Sequence, residues 1–205
     1  MISFELIDNL FQVSILGCAS IASSLLALRH QKQIYLILAL AYACFSMGTL
    51  YYVLYLVILG HTPKIFYVAE ISWMASWLFY LSFQIVRSET IKPRLNWAAI
   101  CGALVVAACV LRIRIFGPSY FMSFLLAVIV GVLTYLCVFR LQSRMEGRHV
   151  DAVLQACVVL QILVYAVSDF TKDYTHFNLY FAVDIALTVS FVSLLPLYLR
   201  EERMK

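Results

Sequence analysis

Long apolar runs separated by short polar breaks organise the whole chain. With about 17 to 25 apolar residues enough to cross a bilayer, the pattern predicts seven spans, near 9–28, 34–59, 65–86, 95–111, 118–139, 150–170 and 177–199. The runs are too long for barrel strands, and an isolated strand would leave backbone donors and acceptors unpaired in hydrocarbon. The expected fold class is therefore all-α, a polytopic transmembrane bundle of about seven helices forming one integral membrane domain over 1–205.

Polar residues recur inside these runs with helical period. Phe66, Glu70, Trp73, Trp77, Tyr80 and Gln84 step by four, three, four, three and four along the third span, which puts them on one face. Phe177, Tyr180, Asp184, Thr188 and Phe191 do the same on the seventh. Span six offers Gln161, Tyr165, Ser168 and Asp169, and span two offers Tyr42, Ser46, Thr49 and Tyr52. Ionisable groups within a membrane are costly and face the bundle interior or a water-filled cavity. Convergence of the four faces would make an outward-facing aromatic and acidic pocket, with Glu70, Trp73, Trp77, Tyr165, Asp169, Tyr180 and Asp184 as candidate ligand-binding residues. Such walls suit a small cationic ligand, through cation–π contact, or a small polar one, through hydrogen bonds, for transport or for sensing. The competing reading is structural: the acids pair with Arg112, Arg114 or a tyrosine hydroxyl and hold the helices in register. Asp169, three residues before Lys172, also fits the head-group layer. Tyr51, Tyr55, Tyr67 and Tyr120 read as interfacial belt residues.

Charge gives the chain a direction. Arg29, Lys32, Arg87, Lys92, Arg94, Arg140, Arg144, Arg148, Arg200, Arg203 and Lys205, eleven in all, fall in alternate breaks, whereas the intervening breaks hold only Lys64, Arg112, Arg114 and Lys172. Because Lys and Arg concentrate in cytoplasmic loops, the amino terminus is expected outside the cell (inner) membrane and the carboxyl terminus in the cytoplasm. No basic stretch precedes the first apolar run, so that span is expected to be retained. At 64% hydrophobic and 13% charged residues, against about a quarter charged in soluble domains, the chain leaves no room for a soluble domain. The net charge of +4 follows from the loops and points to no nucleic acid. The expected partners are membrane lipids and a ligand, with a partner subunit's helix as a further possibility.

The six cysteines, Cys18, Cys44, Cys101, Cys109, Cys137 and Cys157, all lie in predicted spans and read as small apolar packing residues, with no metal-ligand spacing. No cofactor is expected, since the chain lacks HExxH, GxSxG, a phosphate loop and a dinucleotide fingerprint, and its last span has no lysine for a retinal Schiff base.

A faint repeat runs through the sequence. Arg29 and Gln31 after the first span recur as Arg140 and Gln142 after the fifth, 111 positions on. Tyr67-Val68-Ala69-Glu70-Ile71 at the start of the third recurs as Phe181-Ala182-Val183-Asp184-Ile185 in the seventh, 114 positions on. Spans one and five run in the same direction, so the candidate arrangement is a 3+1+3 parallel repeat of the kind some transporters use, with chance similarity among apolar helices as the alternative. Span four would be the linker, with Ala98 and Gly102 as a small-residue pair for close helix approach.

Three segments carry a resemblance. Phe45-Ser46-Met47-Gly48-Thr49-Leu50 is similar to the F-S-x-x-G-D signature of the lysoplasmalogenase (YhhN-like) family, Tyr165-Ala166-Val167-Ser168-Asp169 to its F-x-x-S-D signature, and Ala75-Ser76-Trp77-Leu78-Phe79-Tyr80 to its A-H-x-x-Y stretch. Members are small polytopic membrane hydrolases that cleave the vinyl-ether bond of lysoplasmalogens. The resemblance implies, as the alternative function, a membrane hydrolase of ether lysolipids using Asp169 with Glu70 and Asp184 as catalytic acids. The chain departs from the family at Thr49, where the first signature has Asp, and at Ser76 or Trp77, where His is expected.

Overall fold

A computed structural model describes residues 3–60, 67–88, 95–113, 120–143 and 147–203, and all regular structure among them is helical. Seven helices follow the predicted order: α1 (Phe4–His30), α2 (Gln33–Leu59), α3 (Tyr67–Ser88), α4 (Trp97–Ile113), α5 (Tyr120–Gln142), α6 (Arg148–Ser168) and α7 (Leu179–Arg203). Five of them, α1, α2, α5, α6 and α7, are long and apolar enough to cross a bilayer, and α4 is a 17-residue apolar helix, consistent with a multi-pass membrane protein. Large apolar side chains such as Leu28, Ile58, Leu104 and Phe121 stand on the outer surface, which suits lipid rather than water. Among the predicted charges, Lys64, Lys92, Arg94, Arg114, Arg144 and Lys205 lie outside the described residues, as does Phe66 of the third-span stripe; nothing is described of the Tyr67 side chain.

α1 begins about five residues before the predicted span because its first polar residues turn inward: Asp8, Gln12, Leu16, Ala19 and Ser23 are buried along one face. Its free N-terminal donors are met from two directions. The Leu6 amide reaches the Ser3 hydroxyl, and the amides of Phe4 and Glu5 donate to the Thr175 and Tyr174 carbonyls of the α6–α7 connection, satisfying groups that a helix start leaves open. At the far end Gln31 adopts a left-handed conformation, φ 54°, and its amide bonds back to Ala27.

The helices close a ring. α1 packs on α2, α2 on α3, α3 on α5, α5 on α6, α6 on α7 and α7 on α1, while α4 lies outside against α5 and α6. In a ring so ordered, α1 stands opposite α5, α2 opposite α6, and α3 opposite α7. A two-fold exchange of the first three helices with the last three preserves the order of such a ring, with α4 outside it. α4 approaches α5 closely where both present glycine: Gly102 faces Thr134 and Val138, and Gly131 faces Ala103 and Ala107, at 3.6–3.8 Å from where a side chain would begin. This is the small-residue contact expected of Gly102.

Candidate functional site

The interior is layered along the bundle. At the end where α1 begins lies a polar cluster, at mid-depth an aromatic layer, and at the opposite end a buried ionic network.

The polar cluster centres on Asp184 of α7. Asp8 and Gln12, one turn apart on α1, both face it and are each 4% exposed, while Asp184 itself is 8% exposed. The carboxyl groups of Asp8 and Asp184 lie within hydrogen-bonding reach of one another. The Gln12 amide donates to Thr188 Oγ1 at 3.0 Å and approaches both Asp184 oxygens at 3.4 Å, and Thr49 of α2 donates to Gln12 Oε1 at 2.6 Å. Among the described residues no cation pairs with Asp8, Glu70 or Asp184. Arg112 is exposed, so the expected pairing of a buried acid with it does not form.

The candidate ligand-binding residues distribute unevenly around this centre. Tyr165 of α6 lies within electrostatic reach of both Glu70 and Asp184, and Tyr180 within reach of Asp184, Tyr165 and Asp8. Glu70 is half-buried, with Oε2 enclosed and unpartnered. The enclosed Trp73 indole N–H is also unpartnered. Its ring lies against Gly48 of α2, where a Cβ would come within 2.8 Å of it. The glycine of the Phe45–Leu50 segment is what admits this tryptophan. Asp169 is exposed at the C-cap of α6, in keeping with a head-group position and apart from the buried carboxyl pair. Trp77 sits in the aromatic layer, 2% exposed.

That layer is built on Phe191. Tyr80 stacks on it with rings 4.8 Å apart and 2° from parallel, Phe45 lies at 5.0 Å and Trp77 at 5.6 Å, and Tyr42 donates to the Phe191 carbonyl at 2.8 Å. The side chains of α3 and α7 thus meet across the ring.

The third layer contains residues that the sequence pattern assigned to loops. Arg87 and Arg140, counted among the loop cations, are buried instead, their side chains 2% and 5% exposed. Both converge on Asp151, which is fully buried: Arg87 Nη1 at 2.8 Å, Arg140 Nε at 3.0 Å and the Gln84 amide at 2.6 Å all donate to it. Arg87 also donates to Glu201 at 2.6 Å and to the Gly147 carbonyl, and Arg140 to the Arg87 carbonyl. Among the described residues two arginines meet two acids here, the pairing of opposite charges that enclosure demands. Gly147 has φ 82°, and a side chain there would strike the Glu201 carboxylate. Beside the network, Glu202 accepts from Lys32 and from Tyr35. Of the cysteines, Cys137 and Cys157 are in the core, and Cys18 and Cys101 are on the outer surface.

Outside the helices, the α6–α7 connection is pinned by Asp173. It accepts from the Thr175 hydroxyl and amide, at 2.6 and 2.8 Å, which with His176 holds its carboxyl down at about 2.

Compared with family models, with curated proteins and with solved structures, the chain matches none.

Proposed function

We propose that this chain binds a small cationic ligand at the Asp8–Gln12–Asp184 cluster and carries it across the membrane. The observation that carries the reading is a buried carboxyl pair without a cation among the described residues. A monovalent cation that displaces one carboxyl proton leaves the net charge of the cluster unchanged, and in a low-dielectric interior that is the exchange with the least desolvation cost. Glu70, Tyr165, Tyr180 and Trp73 are the residues placed to receive the organic part of such a cation, through ring faces and unpartnered polar atoms. Transport is favoured over sensing by the ring of opposed helices, whose neighbour relations agree with a two-fold repeat.

The proposed orientation puts the α1 start outside and the α7 end in the cytoplasm of a cell (inner) membrane. Removing the buried Arg87 and Arg140 from the loop cations leaves nine on one side against four on the other, so the bias keeps its sign. A reporter fused after Lys205 is expected to read cytoplasm.

The test uses proteoliposomes enclosing a pH-sensitive dye, challenged with ethanolamine, choline, tetramethylammonium and spermidine. Uptake of at least one amine with a proton signal, abolished by Asp184→Asn and Asp8→Asn while melting in detergent is unchanged, is the expected result. No amine-dependent signal, or full activity in Asp184→Asn, would remove the proposal.

One observation favours a second reading. Thr49, in the segment that resembles the first lysoplasmalogenase signature, bonds to Gln12 and so joins the acid pair. On that reading Asp8 and Asp184 share the acid and base roles in cleaving an ether lysolipid, and purified protein would release aldehyde from lysoplasmalogen.

A further inference from the structure

Positions 114 apart on α3 and α7 meet across the ring at two depths, and a third such pair has Tyr165 as a common neighbour. Glu70 and Asp184 both approach Tyr165 in the polar cluster. Trp77 and Phe191 touch at mid-depth, 5.6 Å between ring centres. Arg87 and Glu201 form an ion pair of 2.6 Å at the far end. On the parallel-repeat reading, equivalent positions of two repeat mates meet only along the repeat axis, so the two contacting pairs mark that axis through the bundle. Along it, chemistry changes from unpaired acids to a ring plug to a closed charge pair, a sequence suited to admitting a cation at one end and barring it at the other.

We propose that the α3–α7 interface is a permeation path for the cation, open to binding at the Asp184 end and held shut at the other by Arg87 against Glu201 and Asp151, with Trp77, Tyr80 and Phe191 as a second barrier. This rests on the transport reading. Opening moves Arg87, on α3, away from its partners on α6 and α7. Arg140 and Asp151, joined within the α5–α6 hairpin, stay together and keep the acid compensated. Glu201 is the partner whose loss favours opening, because the closed state then holds Arg87 through Asp151 alone of these two acids.

A native reporter sits at the closed end: Cys137 is fully buried and within electrostatic reach of Asp151, Arg87 and Arg140. The experiment retains Cys137, replaces the other five cysteines with alanine, and measures its modification by a membrane-impermeant cationic thiosulfonate in inverted vesicles. Glu201→Gln is expected to raise the modification rate about tenfold or more, as the loss of one charge-assisted hydrogen bond shifts the closed–open balance. Glu201→Asp, which keeps the charge, is expected to stay within about twofold of the parent. A folded Glu201→Gln protein with an unchanged Cys137 rate overturns the proposal. So does a Glu201→Gln protein that melts apart, since the pair is then a fixed structural bond. Because the labelling needs no ligand, amine uptake can fail in the liposome test while the path stands.

Discussion

Replacing Asp151 with alanine tests whether the ionic network is held by charge compensation or by ordinary hydrogen bonds. Asp151 is fully buried and accepts from Arg87, Arg140 and Gln84. Hydrogen bonds between membrane helices average only ~0.6 kcal/mol by double-mutant cycles, so three such bonds taken singly sum to ~2 kcal/mol. Leaving buried arginines without their acid costs more, ~3–5 kcal/mol for one broken buried pair. Asp151 is the acid that Arg87 and Arg140 share, so the higher range applies. For a chain of this size each kcal/mol shifts Tm by ~2–4 °C, and Asp151→Ala is expected to melt ~6–20 °C below the parent in detergent. Fluorescence-detected size exclusion after a heat series measures it. Asp151→Asn/Arg140→Gln, which removes one charge of each sign, is expected to recover part of the loss, whereas Asp151→Ala/Arg140→Ala measures the coupling. A loss of ~2 kcal/mol or less in Asp151→Ala would refute charge compensation as the source of stability, because the three hydrogen bonds alone account for that much.

Two further outcomes are expected. Gly48→Ala puts a methyl group into the Trp73 ring and should cost ~1–3 kcal/mol by overpacking, with blue-to-red movement of tryptophan emission as the indole is displaced; unchanged emission and Tm would count against the cradle. The Asp173 carboxyl, held at about 2 by the Thr175 hydroxyl and amide, lies below its unfolded value of ~3.9, so its contribution to the α6–α7 turn is present above that value and is lost as pH falls toward 2. Carboxyl-carbon NMR of the labelled protein follows the midpoint, and one near 4 would show that the turn does not hold it.

The helices were legible because seven apolar runs admit no other spanning form, and the α3 and α7 stripes were legible because helical period marks a face whatever covers it. Depth along that face was harder to read. The α3 stripe continues by a step of three from Gln84 to Arg87, and the α7 stripe from Phe191 through Leu194 and Tyr198 to Glu201. These steps could have brought both charged residues inside, but a charge at the end of an apolar run looks like a loop charge unless its partner is known. Asp151 follows the same rule, one turn into α6 and on the face of Leu154, Val158 and Gln161. Trp77 was read as lining a pocket because its face points inward; the sequence does not distinguish a lining from a plug. Asp8 stood outside the predicted first span, so its meeting with Asp184 needed the three-dimensional arrangement to be seen.

The order in which the chain is made gives the ionic network a further consequence. Arg140 and Asp151 are only 11 residues apart and can neutralise one another as soon as α5 and α6 enter the membrane. Arg87 is synthesised before either of them, and its contact with Glu201 spans 114 residues. Until α7 is inserted, α3 carries a cation whose full set of partners does not yet exist, and Asp151 of α6 is the acid that meets it first. The last helix therefore completes the network, and the far end of α3 gains its contact with Glu201 only once α7 is in place.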